Sequence, residues 1–249
     1  MILWLIFYFV FGAAIGSFVA CCAYRFSHGS SIIYGKSVCE SCGHRLSVID
    51  LLPVFSYLYL RGRCRYCKTA YSINSFAAEL ITGTAFVLCG IHALPGLLLV
   101  LMFVFTGFLV LISLIDYNEQ IIPDAWVGVI AASGLCYSFL YHSDKILDSL
   151  LGGILGFAIM LVIFIISRGG MGGGDVKLSA AVGLWLGIEG TLMFLLLAFT
   201  IGGIMSMLLL ASGIKSKGDA VPFGPFLCLS AFVVLLYKPV LLNYYWNLF

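Results

Sequence analysis

Residues 171–177 read Met-Gly-Gly-Gly-Asp-Val-Lys and stand between two long apolar runs. Gly169 and Gly170 precede them, so Asp175 follows a glycine-rich break in an otherwise hydrophobic sequence. A carboxylate among apolar segments is costly unless it faces a protein interior or a water-filled cavity, and acids so placed commonly serve function. The plainer reading is a glycine hinge between helices, with Asp175 capping the second and Lys177 on the lipid surface. The stretch alone supports both.

Working outward, 62% of the 249 residues are hydrophobic and 10% are charged, with a mean hydropathy of +1.12. A soluble domain needs far more polar surface than this. The apolar runs are nearly continuous and of helical length, which excludes the short alternating segments of a β-barrel. The fold class is therefore an all-α polytopic membrane protein. A net charge of +2 is too small to imply a nucleic-acid partner.

Spans are expected at 1–24 and at roughly 76–93, 95–115, 125–142, 149–167, 177–188, 190–212 and 224–243, about eight in all. The first has no basic residue ahead of it and Arg25 behind it, so it reads as a retained helix and not a signal peptide. The sixth, Leu178 to Ile188, is short for a hydrocarbon layer of ~30 Å. Between the first two spans lies a polar loop, 25–75, with seven of the thirteen Lys and Arg residues: Arg25, Lys36, Arg45, Arg61, Arg63, Arg65 and Lys68. Placing it in the cytoplasm puts Arg168, Lys177, Lys215 and Lys217 on the same side and leaves Lys145 and Lys238 opposite. That asymmetry turns both termini outward. The expected organisation is a first transmembrane helix (1–24), a cytoplasmic loop domain (25–75) and a membrane core of about seven helices (76–249).

The loop carries Cys39-Glu40-Ser41-Cys42 and Cys64-Arg65-Tyr66-Cys67, separated by 21 residues. Two Cys-x-x-Cys pairs have tetrathiolate zinc spacing: each forms a knuckle, and four thiolates close a tetrahedral shell with no open position. Zinc bound by Cys39, Cys42, Cys64 and Cys67 would be structural, folding a loop too poor in apolar residues for its own core. Disulfides are disfavoured in a cytoplasmic loop. His44 is expected to be a bystander. The other five cysteines, Cys21, Cys22, Cys89, Cys136 and Cys228, lie in apolar spans, and most read as small buried hydrophobes.

A second acid, Asp116, ends the third apolar run, so under this topology it shares a membrane depth with Asp175. Glu119 reads as a loop residue near the same place, and Asp124 after Pro123 as a helix-start acid. Two aspartates at one depth suggest an aspartyl protease. Close carboxyls share a proton: one accepts a proton from water while the other hydrogen-bonds the carbonyl under attack, and the pair titrates as a unit. The glycines at 172, 173 and 174 would let an extended substrate backbone approach Asp175.

Gly172-Gly173-Gly174-Asp175 fits the Gly-x-Gly-Asp signature of membrane aspartyl proteases, and the whole chain resembles the bacterial type IV prepilin peptidases. The resemblance rests on Gly16-Ser17-Phe18 with Tyr24-Arg25, the paired cysteine motifs, Leu52-Pro53 to Ser56-Tyr57, Arg61-Gly62-Arg63-Cys64, Glu79-Leu80, Asp116 with Ile122-Pro123-Asp124, Gly174 to Leu178, and Pro222-Phe223-Gly224-Pro225. It implies an enzyme of the bacterial inner membrane that cleaves the short basic leader of prepilins and pseudopilins on the cytoplasmic side. Many such enzymes then methylate the new amino terminus with S-adenosylmethionine. It also implies Asp116 and Asp175 as the catalytic aspartates, with Glu119, Lys177, Pro222, Phe223 and Gly224 as possible lining of the site. The chain departs from the family at Val19-Ala20-Cys21-Cys22, where an aliphatic residue and then Asn are usual, and this bears on methyl transfer. Glu79 is a candidate for contacting a cationic cofactor or a substrate amine, against the plainer reading of an interfacial acid. From other classes, a cation-coupled transporter and a non-enzymatic pilus assembly factor remain as alternatives, as does a peptidase without methyl transfer.

Overall fold

In hydrocarbon, backbone polar groups must be satisfied within the segment, so apolar runs of this length become helices. The computed structural model describes residues 2–31, 38, 39, 41–47, 49–71, 73–141, 145–214, 216 and 221–247. Lys36, Lys215 and Lys217, which enter the charge asymmetry, lie outside them. The helices are α1 (Ile2–Ser27), α2 (Phe55–Tyr59), α3 (Ile73–His92), α4 (Leu97–Glu119), α5 (Asp124–Tyr141), α6 (Ile146–Ser167), α7 (Gly173–Ala211) and α8 (Gly224–Trp246), with a 3-10 turn at Ile49–Leu51. All but α2 are long and apolar enough to cross a membrane. Among the described residues, extended pairing is confined to two isolated bridges in the polar loop.

The chain forms two compact units, Met1–Leu114 and Ile115–Phe249. In the first, α1 packs on α3 through small residues. Gly12 and Gly16, one turn apart on α1, bring its backbone onto α3: a Cβ on Gly16 would stand 2.6 Å from the Ala78 carbonyl oxygen, and one on Gly12 2.8 Å from that of Thr82. Small residues spaced four apart let membrane helices approach closely where no hydrophobic force drives them together. Beyond these glycines, Phe86 and Phe103 stack with centroids 4.1 Å apart.

The second unit is organised on α7. Its 39 residues would run ~58 Å if straight, about twice the hydrocarbon thickness. They do not run straight, because Gly187 breaks the helix with φ 69° and ψ −175°. A Cβ on Gly156 of α6 would touch both Ser179 and Thr191. Those residues are twelve apart, ~18 Å along a straight helix, so the two arms of α7 fold back on each other at Gly187. The expected sixth and seventh spans are these arms. The first arm begins at Gly173, earlier than the expected 177, which lengthens the sixth span to ~21 Å before the break, still short of ~30 Å of hydrocarbon.

Side chains from the neighbouring helices and from α7 itself satisfy the backbone at the break. The Ile188 amide donates to Asp148 Oδ1 at 3.2 Å, and Lys238 Nζ donates to the Leu186 carbonyl at 2.8 Å. The Ser149 hydroxyl donates to the Leu184 carbonyl, and that of Thr191 to the Gly187 carbonyl at 2.7 Å. Against the first arm, Trp185 Nε1 donates to the Ile130 carbonyl of α5 at 3.0 Å. Helix α6 runs antiparallel to this arm, with Gly152, Gly153 and Gly156 against it.

Candidate active site and metal centre

Both aspartates lie in the second unit, at the end opposite Gly187. Asp116 occupies the last turn of α4 and Asp175 the first turn of α7, and each is only 6% exposed. Each has one oxygen fixed by a backbone amide at a helix start. Gly224, the first residue of α8, donates to Asp116 Oδ2 at 2.8 Å, and Gly172, ahead of α7, donates to Asp175 Oδ2 at 3.2 Å. The second contact is half of a capping box, with the acid at the third helical position reaching back to the residue before the helix. Both carboxyls therefore stand where unsatisfied N–H groups and the helix dipole favour negative charge. They are also close enough to interact electrostatically.

The sequence between them explains the convergence. After α4, Gln120 takes a left-handed conformation (φ 56°) that ends the helix, and Pro123 leads directly into α5. This short link presses Ile122 against the start of α7, where a Cβ on Gly174 would come 2.7 Å from that of Ile122. Gly174 thus admits the link. Gly172 lies against the Asp175 carboxyl, and of the three glycines Gly173 alone has open space beside it.

Gly224 is equally constrained, since a Cβ there would stand 2.6 Å from Asp116 Oδ2. Pro222, Phe223 and Gly224 are expected from the sequence as lining, and the pairing of Gly224 with Asp116 is visible only in the fold. A helix-start signal was present in Gly224-Pro225, since proline is favoured in the first turn. Phe223 stacks on Phe199 of the second arm of α7, with centroids 5.0 Å apart, and Pro222 is half-buried beside it. Glu119 is exposed in the last turn of α4, so it belongs to the helix and not to a loop. Lys177 points away from the pair and binds both oxygens of Asp124 at 2.8 Å, with 54% and 71% of the two side chains exposed.

In the first unit, the cysteine pairs fold as two matching knuckles. The Cys39 amide donates to the His44 carbonyl (2.9 Å) and the Gly43 amide to the Cys39 carbonyl (2.8 Å). The Cys64 amide donates to the Thr69 carbonyl (2.8 Å) and the Lys68 amide to the Cys64 carbonyl (3.0 Å). Gly43 and Lys68 hold equivalent left-handed positions, with φ 67° and 61°. Each knuckle is closed by one bridge, Val38 to Arg45 and Arg63 to Ala70.

The four sulfurs all lie within 4.8 Å of one another, and those of Cys39 and Cys67 are 3.7 Å apart. A tetrahedron with metal–sulfur bonds of ~2.3 Å has sulfur edges of ~3.8 Å, so the donor set fits a metal such as zinc. The Cys64 thiol is drawn down to about 6, first by the Cys67 amide, and the Cys67 thiol is lowered by the Thr69 hydroxyl. His44 stacks on Tyr66 at 3.6 Å between centroids and is not part of the cluster.

Glu79 is 8% exposed in α3 and accepts from the Val54 amide at 2.7 Å and from the Ser17 hydroxyl. It is a buried acceptor joining α3 to the loop.

Residues 10–93 match the bacterial peptidase A24 N-terminal domain, and residues 103–207 match the type IV leader peptidase family. Among known proteins, a prepilin leader peptidase/N-methyltransferase of Bacillus subtilis (strain 168) is 30% identical over 241 residues, covering 95% of this chain and 96% of the relative. A protein of that name from Legionella pneumophila is 31% identical over 220 residues (84% and 75%), and one from Aeromonas salmonicida 28% over 220 residues (86% and 76%). No solved structure matches the chain. With an all-helical membrane architecture and this coverage, the chain belongs to the type IV leader peptidase family and is a multi-pass membrane peptidase.

Proposed function

We propose that the chain cleaves the leader peptide of type IV prepilins and pseudopilins with Asp116 and Asp175, on the cytoplasmic side of the bacterial inner membrane, and then methylates the new amino terminus. The observation that carries the reading is the pair itself: two buried carboxyls from different helices, each with one oxygen fixed by a backbone amide. Those amides leave the other oxygen of each carboxyl for chemistry. With one proton shared between them, the ionised member takes a proton from water while the protonated member hydrogen-bonds the scissile carbonyl oxygen. The water oxygen bonds to the carbonyl carbon, the carbon–nitrogen bond breaks, and the departing amine takes the proton. Either aspartate can fill either role, since the pair titrates as a unit. Gly173, open on its free side, is where a substrate backbone can come nearest Asp175.

The distribution of Lys and Arg supports placing the aspartate end in the cytoplasm with both termini outside. Cys39, Cys42, Cys64 and Cys67 hold one structural zinc, which ties the two knuckles together. When bound, S-adenosylmethionine would supply the methyl group for that second activity. Glu79 is taken up by the Val54 amide and the Ser17 hydroxyl, so we do not assign it to that donor. Membership of a peptidase family opposes both a cation-coupled transporter and a passive assembly factor.

The test is cleavage of a prepilin in reconstituted membranes by Asp116→Asn and Asp175→Asn variants. Each is expected to lose about 10²–10⁴-fold in rate, the usual contribution of a general acid or base. A near-normal rate would remove that aspartate from the mechanism. Mass spectrometry of the processed amino terminus separates the two activities: one added methyl group is expected, and its absence leaves a peptidase alone. Metal analysis of the purified protein should find one zinc per chain with the four thiols reduced.

A further inference from the structure

Between the two knuckles, the segment 49–60 exposes Ile49, Leu51, Leu52, Phe55, Leu58 and Tyr59, with Phe55 67% and Tyr59 81% exposed. None of these belongs to a helix long enough to span a membrane. The other side of the segment is fixed to α3, where Tyr57 stacks on Phe76 with centroids 4.2 Å apart and the Val54 amide donates to Glu79.

Glu79 sets the depth of this attachment. It is the seventh residue of α3, ~9 Å along the axis from the helix start. The 20 residues of α3 are about what ~30 Å of hydrocarbon requires, so Val54 is held level with residues inside the span. Val54 also has a left-handed backbone (φ 64°), and irregular backbone at membrane depth persists only where protein satisfies its polar groups. The carboxylate of Glu79 does so.

The electrostatics of the surroundings are one-sided. From Gly43 to Asn74 the only acid is Asp50, which is buried and paired with Arg65 at 2.9 Å. Arg61, Arg63 and Lys68 are exposed immediately after the apolar segment. An apolar face with aromatic residues, a basic rim and no free acid matches the boundary between acyl chains and anionic headgroups.

We propose that residues 49–60 form an interfacial membrane anchor. Phe55, Leu58 and Tyr59 insert at the headgroup–acyl boundary of an anionic bilayer, Arg61 and Arg63 meet the headgroups, and the cysteine-bearing loop is thereby held flat on the membrane. This does not depend on the peptidase mechanism.

The test uses the full chain in nanodiscs of phosphatidylcholine and phosphatidylglycerol, with an environment-sensitive fluorescent amino acid replacing Tyr59. The expected result is emission shifted to shorter wavelength and quenched by lipids brominated near the headgroup end of the acyl chain. Both signals should be lost in an F55E/L58E variant of unchanged helical content, and quenching should fall in R61Q/R63Q or when phosphatidylglycerol is omitted. Water-like, unquenched emission would overturn the anchor. So would a shift without quenching, which means burial against protein, or a shift that appears only on adding a prepilin peptide, which means that the surface receives substrate. Equal quenching in phosphatidylcholine alone would overturn the role of the anionic headgroups.

Discussion

The two ends of the α7–α8 bundle treat charge in opposite ways. At the Gly187 end, Asp148 and Lys238 each complete an interrupted backbone: the acid takes the first amide of one arm and the lysine reaches the last carbonyl of the other. Charge there repairs helix ends, and each group has the partner its sign requires. At the other end, Asp116 and Asp175 also accept helix-start amides, but there two carboxyls interact as like charges, and Lys177, two residues after Asp175, is bound to Asp124. Amides alone do not neutralise a pair of acids. On the proposed mechanism this is where the pair would share a proton, the chemistry by which two carboxyls let water attack a peptide bond.

The sharpest way to break this contrast is one substitution made at both ends. Asp175→Asn removes a member of the proposed catalytic pair and is expected to cost about 10²–10⁴-fold in cleavage. Asp148→Asn keeps an oxygen for the Ile188 amide and should leave cleavage within a few-fold of wild type. Equal losses at both ends would show that the pair acts through structure, as the helix cap does.

Next in size are the glycines that let each end close. Gly224→Ala puts a methyl group where Asp116 Oδ2 stands 2.6 Å away, so the carboxyl or the start of α8 must move. A displacement of ~1 Å at reacting groups can cost about 10²-fold in rate. Helical content should hold, because alanine is better in a helix than glycine by about 0.5–1 kcal/mol. Gly187→Ala should show the reverse pattern: a left-handed position and a side chain set against the Asp148 carboxylate cost about 1–3 kcal/mol of stability. Thermal unfolding in detergent reads this loss, with the cleavage rate at low temperature little changed.

The difference between the ends also marks what the sequence can reveal. The long apolar runs, the two cysteine knuckles and an acid at the edge of each of two such runs are local patterns of hydropathy, spacing and charge, and they can be read without tertiary contacts. The amide that fixes Asp116 comes from Gly224, 108 residues later, so nothing near Asp116 announces it. The pairing of Lys238 and Asp148 with a broken helix depends on Gly187, whose left-handed backbone appears only when the arms fold back. Gly174 shows the opposite failure. Its neighbours suggest room for a substrate, but the short link after α4 fills that room with Ile122. Glu79, beside a polar loop in the sequence, is buried because Val54 folds back onto it.

The smallest expected effect tests whether the aspartate end truly lacks a cation. Lys177 lies two residues after Asp175, one step of sequence from a position where it could neutralise the pair. It turns instead to Asp124, and both partners are largely exposed. An exposed ion pair is worth about 1 kcal/mol or less. Lys177→Met should therefore lower the unfolding temperature slightly or not at all, and should leave both the cleavage rate and its pH profile where they were. If the lysine served the aspartates, removing it would take a positive charge from beside them, make the carboxyls harder to ionise and move the acidic limb of the profile upward. An unmoved limb with a small stability loss keeps Lys177 in the ion pair, and a moved limb places a cation in the site and removes the contrast between the two ends of the bundle.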